Sequence, residues 1–309
     1  MPRLGGISTV CLIRLFKLTQ IVHPLMPAYP YPLKSLALAL ALLPLSGHVH
    51  AAGSSFADGL DSQDLGRWVR SNDVFAGGPV DNDWRADHVA YAGGQMELRL
   101  NTSPCAWAPE QCGGRSSTSG QLVSTDTYGM GRYTAVLKAA SGQGVVTDFM
   151  KYTGALVGTP TDLVGMHIQG QDPTRMQVSY YQAGVGAQYR TVNLGFDASA
   201  GLHTYAFDAS GDALRWYVDS SEVFSVVGGA LPVAQGRIVS DVWAANPTTA
   251  PLFGAYTGTA TRAYFDSISF QAAVAPVPEP ASALMFVSGA GLLAWRRRRA
   301  AVAAGVQRG

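Results

Sequence analysis

Residues 158–172 read Gly158-Thr159-Pro160-Thr161-Asp162-Leu163-Val164-Gly165-Met166-His167-Ile168-Gln169-Gly170-Gln171-Asp172. As a strand this run places 163, 165 and 167 on one face and 162, 164 and 166 on the other, because successive side chains alternate. The first face then offers an aliphatic group, a glycine and an imidazole. The only nearby carboxylate, Asp162, points the opposite way. An imidazole such as that of His167 can pass a proton, but Leu163 has no nucleophilic atom.

The same alternation recurs outward from this run. Gln95 to Leu100, Gly131 to Ala139, Met176 to Tyr181 and Leu214 to Val218 all carry apolar or aromatic side chains at every second position, between Gly, Asn, Asp and Pro turns. No stretch of twelve or more keeps a helical period away from the two ends. With 35 glycines and many Tyr and Trp, the pattern predicts an all-β sandwich or jelly roll. The chain has 309 residues, a net charge of +1 and 14% charged residues. That near-neutral balance excludes a nucleic-acid partner, which requires a basic patch.

Both ends read as processing segments. Residues 1–51 form a leader and signal peptide: Met26 is a second plausible start, Lys34 a short positive region, and Ser35 to Leu45 an apolar run before the small-residue site Val49-His50-Ala51. The run is too short to span a bilayer. Residues 52–271 form one domain, followed by an Ala/Pro linker at 272–276. Residues 277–309 carry Pro278-Glu279-Pro280, an apolar stretch from Ala281 to Trp295, and Arg296-Arg297-Arg298-Arg299. This order resembles the PEP-CTERM sorting signal, which an exosortase removes in Gram-negative exporters of polysaccharide. Arginines resist translocation, and a short apolar helix suits a transient membrane anchor. The sequence thus predicts export, with signal peptidase and exosortase as processing partners, to the cell envelope or extracellular matrix. In an oxidising compartment Cys105 and Cys112 are expected to pair locally.

Several blocks together resemble the lichenase-type β-glucanases of glycoside hydrolase family 16. They are Asp83-Trp84-Arg85-Ala86, Tyr128 to Tyr133, Phe149 to Gly154, Val178-Ser179-Tyr180-Tyr181, Asn193 to Ala198, His203 to Asp208 and Trp216 to Asp219. The resemblance spans about Phe56 to Phe270 and implies a concanavalin A-like jelly roll of two antiparallel sheets, one of them forming an open cleft for a β-glucan. It also implies a structural calcium near Asp266 and no other cofactor. In that family 158–172 carries three carboxylates, and the resemblance puts nucleophile, assisting acid and acid/base at Leu163, Gly165 and His167. Retaining hydrolysis needs two carboxyl groups about 5–5.5 Å apart, so no catalytic residue is intact. Tyr181 and Trp243 match sugar-stacking positions and Arg115 a polar cleft position, while Asp81, also a candidate for substrate binding, stands where the family carries an asparagine. Thr161, Ser179 and Ala244 depart from the family, and Asp241 stands where it carries an asparagine. Asn82 replaces the first cysteine of its long-range disulfide.

From this the sequence predicts an exported, envelope-associated β-glucan- or exopolysaccharide-binding pseudoenzyme. The competing expectation is an active glycoside hydrolase or transglycosylase with a relocated site, for which Asp148 and His167 are the candidates. A surface protein whose cleft binds nothing is a third.

Overall fold

The computed structural model describes residues 54–73, 80–102, 115, 117–154 and 161–273. The chain divides into two units, 1–48 and 49–309, and every described residue lies in the second. The signal and sorting segments, the two terminal helices expected in them, and Cys105 and Cys112 fall outside the described residues. Among the described residues no helix is long and apolar enough to cross a membrane.

Two sheets make the domain. One contains β1 (Phe56–Asp58), β3 (Asn82–Trp84), β4 (Val89–Ala92), β5 (Gln95–Asn101), β6 (Ser117–Ser119), β8 (Gly131–Lys138), β13 (His203–Ala209), β14 (Ala213–Val218), β15 (Ser221–Val227) and β17 (Thr261–Ala272). It runs β15-β14-β13-β8-β17-β5-β6-β3, with β1 added to β17 and β4 to β5. The second contains β2 (Trp68–Arg70), β7 (Gln121–Ser124), β9 (Val145–Tyr152), β10 (Leu163–Gln169), β11 (Arg175–Gln182), β12 (Val185–Asn193) and β16 (Arg237–Ala244). Its order is β12-β11-β10-β9-β16-β7-β2. Pairing is antiparallel except between β3 and β6, which run parallel. The four strands expected at 95–100, 131–139, 176–181 and 214–218 are β5, β8, β11 and β14.

Alternation decides what faces what. On β10 the even positions Val164, Met166 and Ile168 enter the core between the sheets. There they meet Phe149, Phe207 and Tyr133, with the Tyr133 and Phe207 rings stacked at 4.7 Å. Removing aromatic side chains of this size from water supplies much of the folding energy. Trp216 reaches across from β14 and donates its indole N–H to the Gly165 carbonyl at 3.2 Å, pinning β10 at its middle. The odd positions of β10 therefore lie on the outer face.

Two buried charges hold loops to this sheet. Asp162 accepts the backbone N–H of Ala183 at 2.7 Å and of Ala234 at 3.2 Å, so it faces away from the outer row as expected. Lys151 is fully buried and donates to the carbonyls of Pro232 at 3.0 Å and Ala234 at 2.9 Å. Burial pushes its ammonium down to about 8, with Asp162 opposing.

Candidate active site

Strand register builds the outer face in rows. Leu163 lies between Tyr152 on β9 and Tyr181 on β11; Gly165 lies between Met150 and Ser179; His167 lies between Asp148 and Gln177. On the far side of β9, Asp241 of β16 is directly opposite Asp148, and Gln121 of β7 is opposite Asp241. Directly opposed residues have Cβ atoms about 4.5–5.5 Å apart. One row thus reads Gln121, Asp241, Asp148, His167, Gln177 across five strands.

Hydrogen bonds tie this row together. Asp148 Oδ1 is 2.8 Å from His167 Nδ1, and Trp243 Nε1 donates to Asp148 Oδ2 at 2.9 Å. His167 Nε2 is 2.6 Å from Ser179 Oγ. An indole can only donate, so Asp148 Oδ2 accepts. In the neutral tautomer that donates from Nδ1 to Asp148 Oδ1, Nε2 is left to accept the Ser179 hydroxyl. Beside them Gln121 Nε2 donates to Asp241 Oδ2 at 2.8 Å, its amide oriented by Ser71 Oγ on Oε1 at 2.7 Å. Among the described residues Asp241 Oδ1 has no hydrogen-bond partner. Burial pushes the Asp241 carboxyl well up, the charge of Asp148 adds to this, and the Gln121 hydrogen bond opposes it. This shift favours the protonated form, and a protonated carboxyl is a proton donor.

The site differs from the expected open cleft. Leu163, His167, Asp148, Asp241 and Ser179 are all buried. Gly165 is hemmed in: a Cβ there would stand 2.8 Å from Met150 Cβ. Trp243, expected to stack sugar, is only 4% exposed. Its ring packs edge-on to Phe253 of the short helix α1 (Ala250–Phe253) at 5.3 Å, and its N–H is committed to Asp148. Tyr181 is half-buried beside Leu163, and desolvation raises its hydroxyl strongly. Arg115 Nη1 donates to Asp81 Oδ1 at 2.9 Å and to the Val80 carbonyl at 2.7 Å, so the two predicted polar cleft residues bind each other. Asp266 sits at the bulge of β17, where Oδ1 accepts from Gln95 Nε2 at 3.3 Å. Among the described residues no three His, Cys, Asp or Glu side chains are placed to hold a metal ion together. A calcium ion at Asp266 would therefore draw most of its shell from backbone carbonyls.

Sequence reasoning identified Asp148 and His167 as neighbours but missed Asp241 and Ser179 as their partners. The signal for both was present: each replaces a family asparagine beside an aromatic residue.

Comparison with known proteins agrees with this architecture. Glycosyl hydrolases family 16 matches residues 77–257, and the PEP-CTERM protein-sorting motif matches 276–299. A β-glucanase of Bacillus subtilis (strain 168) is 35% identical over 192 residues, 62% of this chain and 75% of that protein. One from Bacillus amyloliquefaciens is 34% identical over 208 residues, 67% of this chain and 83% of that protein. The solved Bacillus licheniformis β-glucanase superposes with a TM-score of 0.65 at 32% identity, covering 72% of this chain and 99% of that one. A β-1,3-1,4-glucanase (lichenase) derived from a mouse hindgut metagenome gives a TM-score of 0.66 at 28% identity, covering 71% and 100%.

Proposed function

This chain belongs to family 16 of the glycosyl hydrolases, and on that premise we propose that it is an exported β-glucan hydrolase or transglycosylase with a relocated proton-transfer centre. The observation that carries this reading is the pairing of Asp148 and Asp241 beside His167, across β9 and β16. Its parts suit acid/base work. Asp241 is shifted toward its protonated form and Asp148 orients the imidazole, so a candidate acid and a candidate base share the floor. The relatives named above are β-glucanases, which supports a β-glucan as ligand. The sorting motif supports export to the envelope, with exosortase trimming the C-terminus after a transient membrane stop. A calcium ion at Asp266 fits as a structural aid only.

The test is release of reducing ends from a mixed β-1,3-1,4-glucan by protein purified from the full-length chain. Asp148→Asn and Asp241→Asn should each lower the rate by about 10²-fold or more, the usual scale of acid/base assistance. Activity untouched by both would refute the relocated centre.

One observation favours a second reading, glycan binding without cleavage. Leu163 occupies the attacking position, and both Asp148 oxygens are already engaged. Calorimetric binding of a β-glucan oligosaccharide without any cleavage would establish it.

A further inference from the structure

Ser179, His167 and Asp148 are arranged in an order that neither reading uses. Asp148 Oδ1 holds His167 Nδ1 at 2.8 Å, and His167 Nε2 faces Ser179 Oγ at 2.6 Å. That is a nucleophile, a base and an orienting carboxylate in hydrogen-bonded sequence, the arrangement that activates a serine on unrelated folds. Trp243 Nε1 fixes the remaining Asp148 oxygen at 2.9 Å. Gln177 lies opposite His167 and two residues before Ser179 on the same face, and its amide makes no hydrogen bond among the described residues. In the reaction proposed below its amide N–H would be the candidate donor to the oxyanion.

We propose that Ser179, His167 and Asp148 form an acyl-transfer triad that removes small acyl esters from a β-linked glycan lying on this face. The glycan part rests on the reading above, but the chemistry requires no glycosidic cleavage.

Chemical class follows from the nucleophile. A serine glycoside is an ordinary acetal, no easier to hydrolyse than the substrate, so attack at an anomeric carbon gains nothing. Attack at an ester carbonyl gives an acyl-serine that water cleaves readily. Ser179 Oγ bonds to the carbonyl carbon while its proton passes to His167 Nε2. The ester C–O bond then breaks, and the same proton goes to the departing sugar hydroxyl. Water, deprotonated by His167, attacks the acyl-serine, and its proton returns to Ser179 as the carboxylic acid leaves. Asp148 and Trp243 act as positioning residues, keeping the imidazole tautomer throughout. The acyl group is small: Ser179 is 1% exposed, and Gly165 opposite it is packed against Met150. In this proposal the ester would approach from the His167 edge, whose side chain keeps 11% exposure.

The experiment treats protein purified from the full-length chain with a chemically O-acetylated β-glucan oligosaccharide. Acetate, reducing ends and binding are followed separately. A fluorophosphonate probe provides a readout that needs neither a variant nor a glycan. The expected result is acetate release without new reducing ends, and a phosphonate adduct on Ser179 found by peptide mass spectrometry. Ser179→Ala and His167→Ala should lower acetate release by about 10³-fold or more. Asp148→Asn should lower kcat strongly and displace the acidic limb of the pH–rate profile, while oligosaccharide affinity is kept. Protein that binds the oligosaccharide but releases no acetate and takes no adduct at Ser179 overturns the triad. An adduct on Ser179 with no glycan binding keeps the triad and overturns the glycan reading. Reducing ends without acetate, unaffected by Ser179→Ala, overturn the triad and leave the hydrolase.

Discussion

Asp148 and Asp241 stand opposite one another on neighbouring strands, one receiving two hydrogen bonds and the other a single one. The difference sets their charges apart. Asp148 is satisfied as an acceptor by His167 and Trp243, whereas Asp241 has one unpaired oxygen and faces the charge of its partner. Two like charges this close cannot both ionise cheaply.

That relationship has a signed consequence for stability. An unfolded aspartate titrates near ~3.9, while folded Asp241 keeps its proton to higher pH. Between those two values the folded state binds the extra proton, so Asp241 costs stability as pH rises. Asp241→Asn stays neutral and still accepts from Gln121. Its melting temperature should exceed that of the parent at about pH 7, by roughly 2–4 °C per kcal/mol relieved, and converge near pH 4. Identical melting curves at every pH would contradict this.

Lys151 gives the opposite slope in a different window. Unfolded, its ammonium holds a proton to about 10.4; folded, burial brings it to about 8. From about pH 8 to 10 the unfolded state binds more protons, so stability should rise with pH there. Lys151→Met should abolish that rise, as read by urea midpoints across the window. Both variants leave the Pro232 and Ala234 carbonyls unbonded; Lys151→Ala should cost more, about 2–4 kcal/mol in all, because it also leaves a cavity.

Restoring the family carboxylates is sterically limited at one position. Gly165→Ala alone should destabilise the domain by about 1–3 kcal/mol, the usual cost of overpacking, because its Cβ meets Met150 Cβ at 2.8 Å. Met150→Gly, which removes the contacted Cβ, should recover part of that loss, less the roughly 0.5–1 kcal/mol cost of a glycine within a strand. The combination Leu163→Glu, Gly165→Asp, His167→Glu should therefore produce more glucanase activity with Met150→Gly than without it. Equal activity in the two backgrounds would show that crowding is not the obstacle.

Tyr181 and Trp243 should separate by phenotype. Tyr181→Ala removes a half-buried ring beside Leu163, and should weaken oligosaccharide binding by about tenfold with little change in melting temperature. Trp243→Ala removes a core side chain and should cost about 3–5 kcal/mol before any effect on binding is measurable. A stable Trp243→Ala domain would mean the Phe253 contact carries little energy.

The sequence by itself determined the fold and its polarity. Period-two patterning in β5, β8, β11 and β14 requires only that one face be apolar, and that information is local. The absence of carboxylates at Leu163, Gly165 and His167 was equally legible, since one strand and its alternation suffice to place them. What the tertiary structure decided lies across strands. Ser179 and Asp241 are 12 residues after and 74 residues after His167 in the chain, and nothing local says that β16 brings Asp241 into the row of Asp148 or that β11 brings Ser179 into the row beside it. Register did that, and register is set by pairing over the whole sheet. Burial was likewise hidden: the Trp243 sequence is the same whether its ring faces sugar or packs on Phe253, and only the return of α1 over that face settles it. A sequence specifies which side of a strand a group occupies, while the neighbours that set its charge and its reach are long-range and exist only once the sheet has closed.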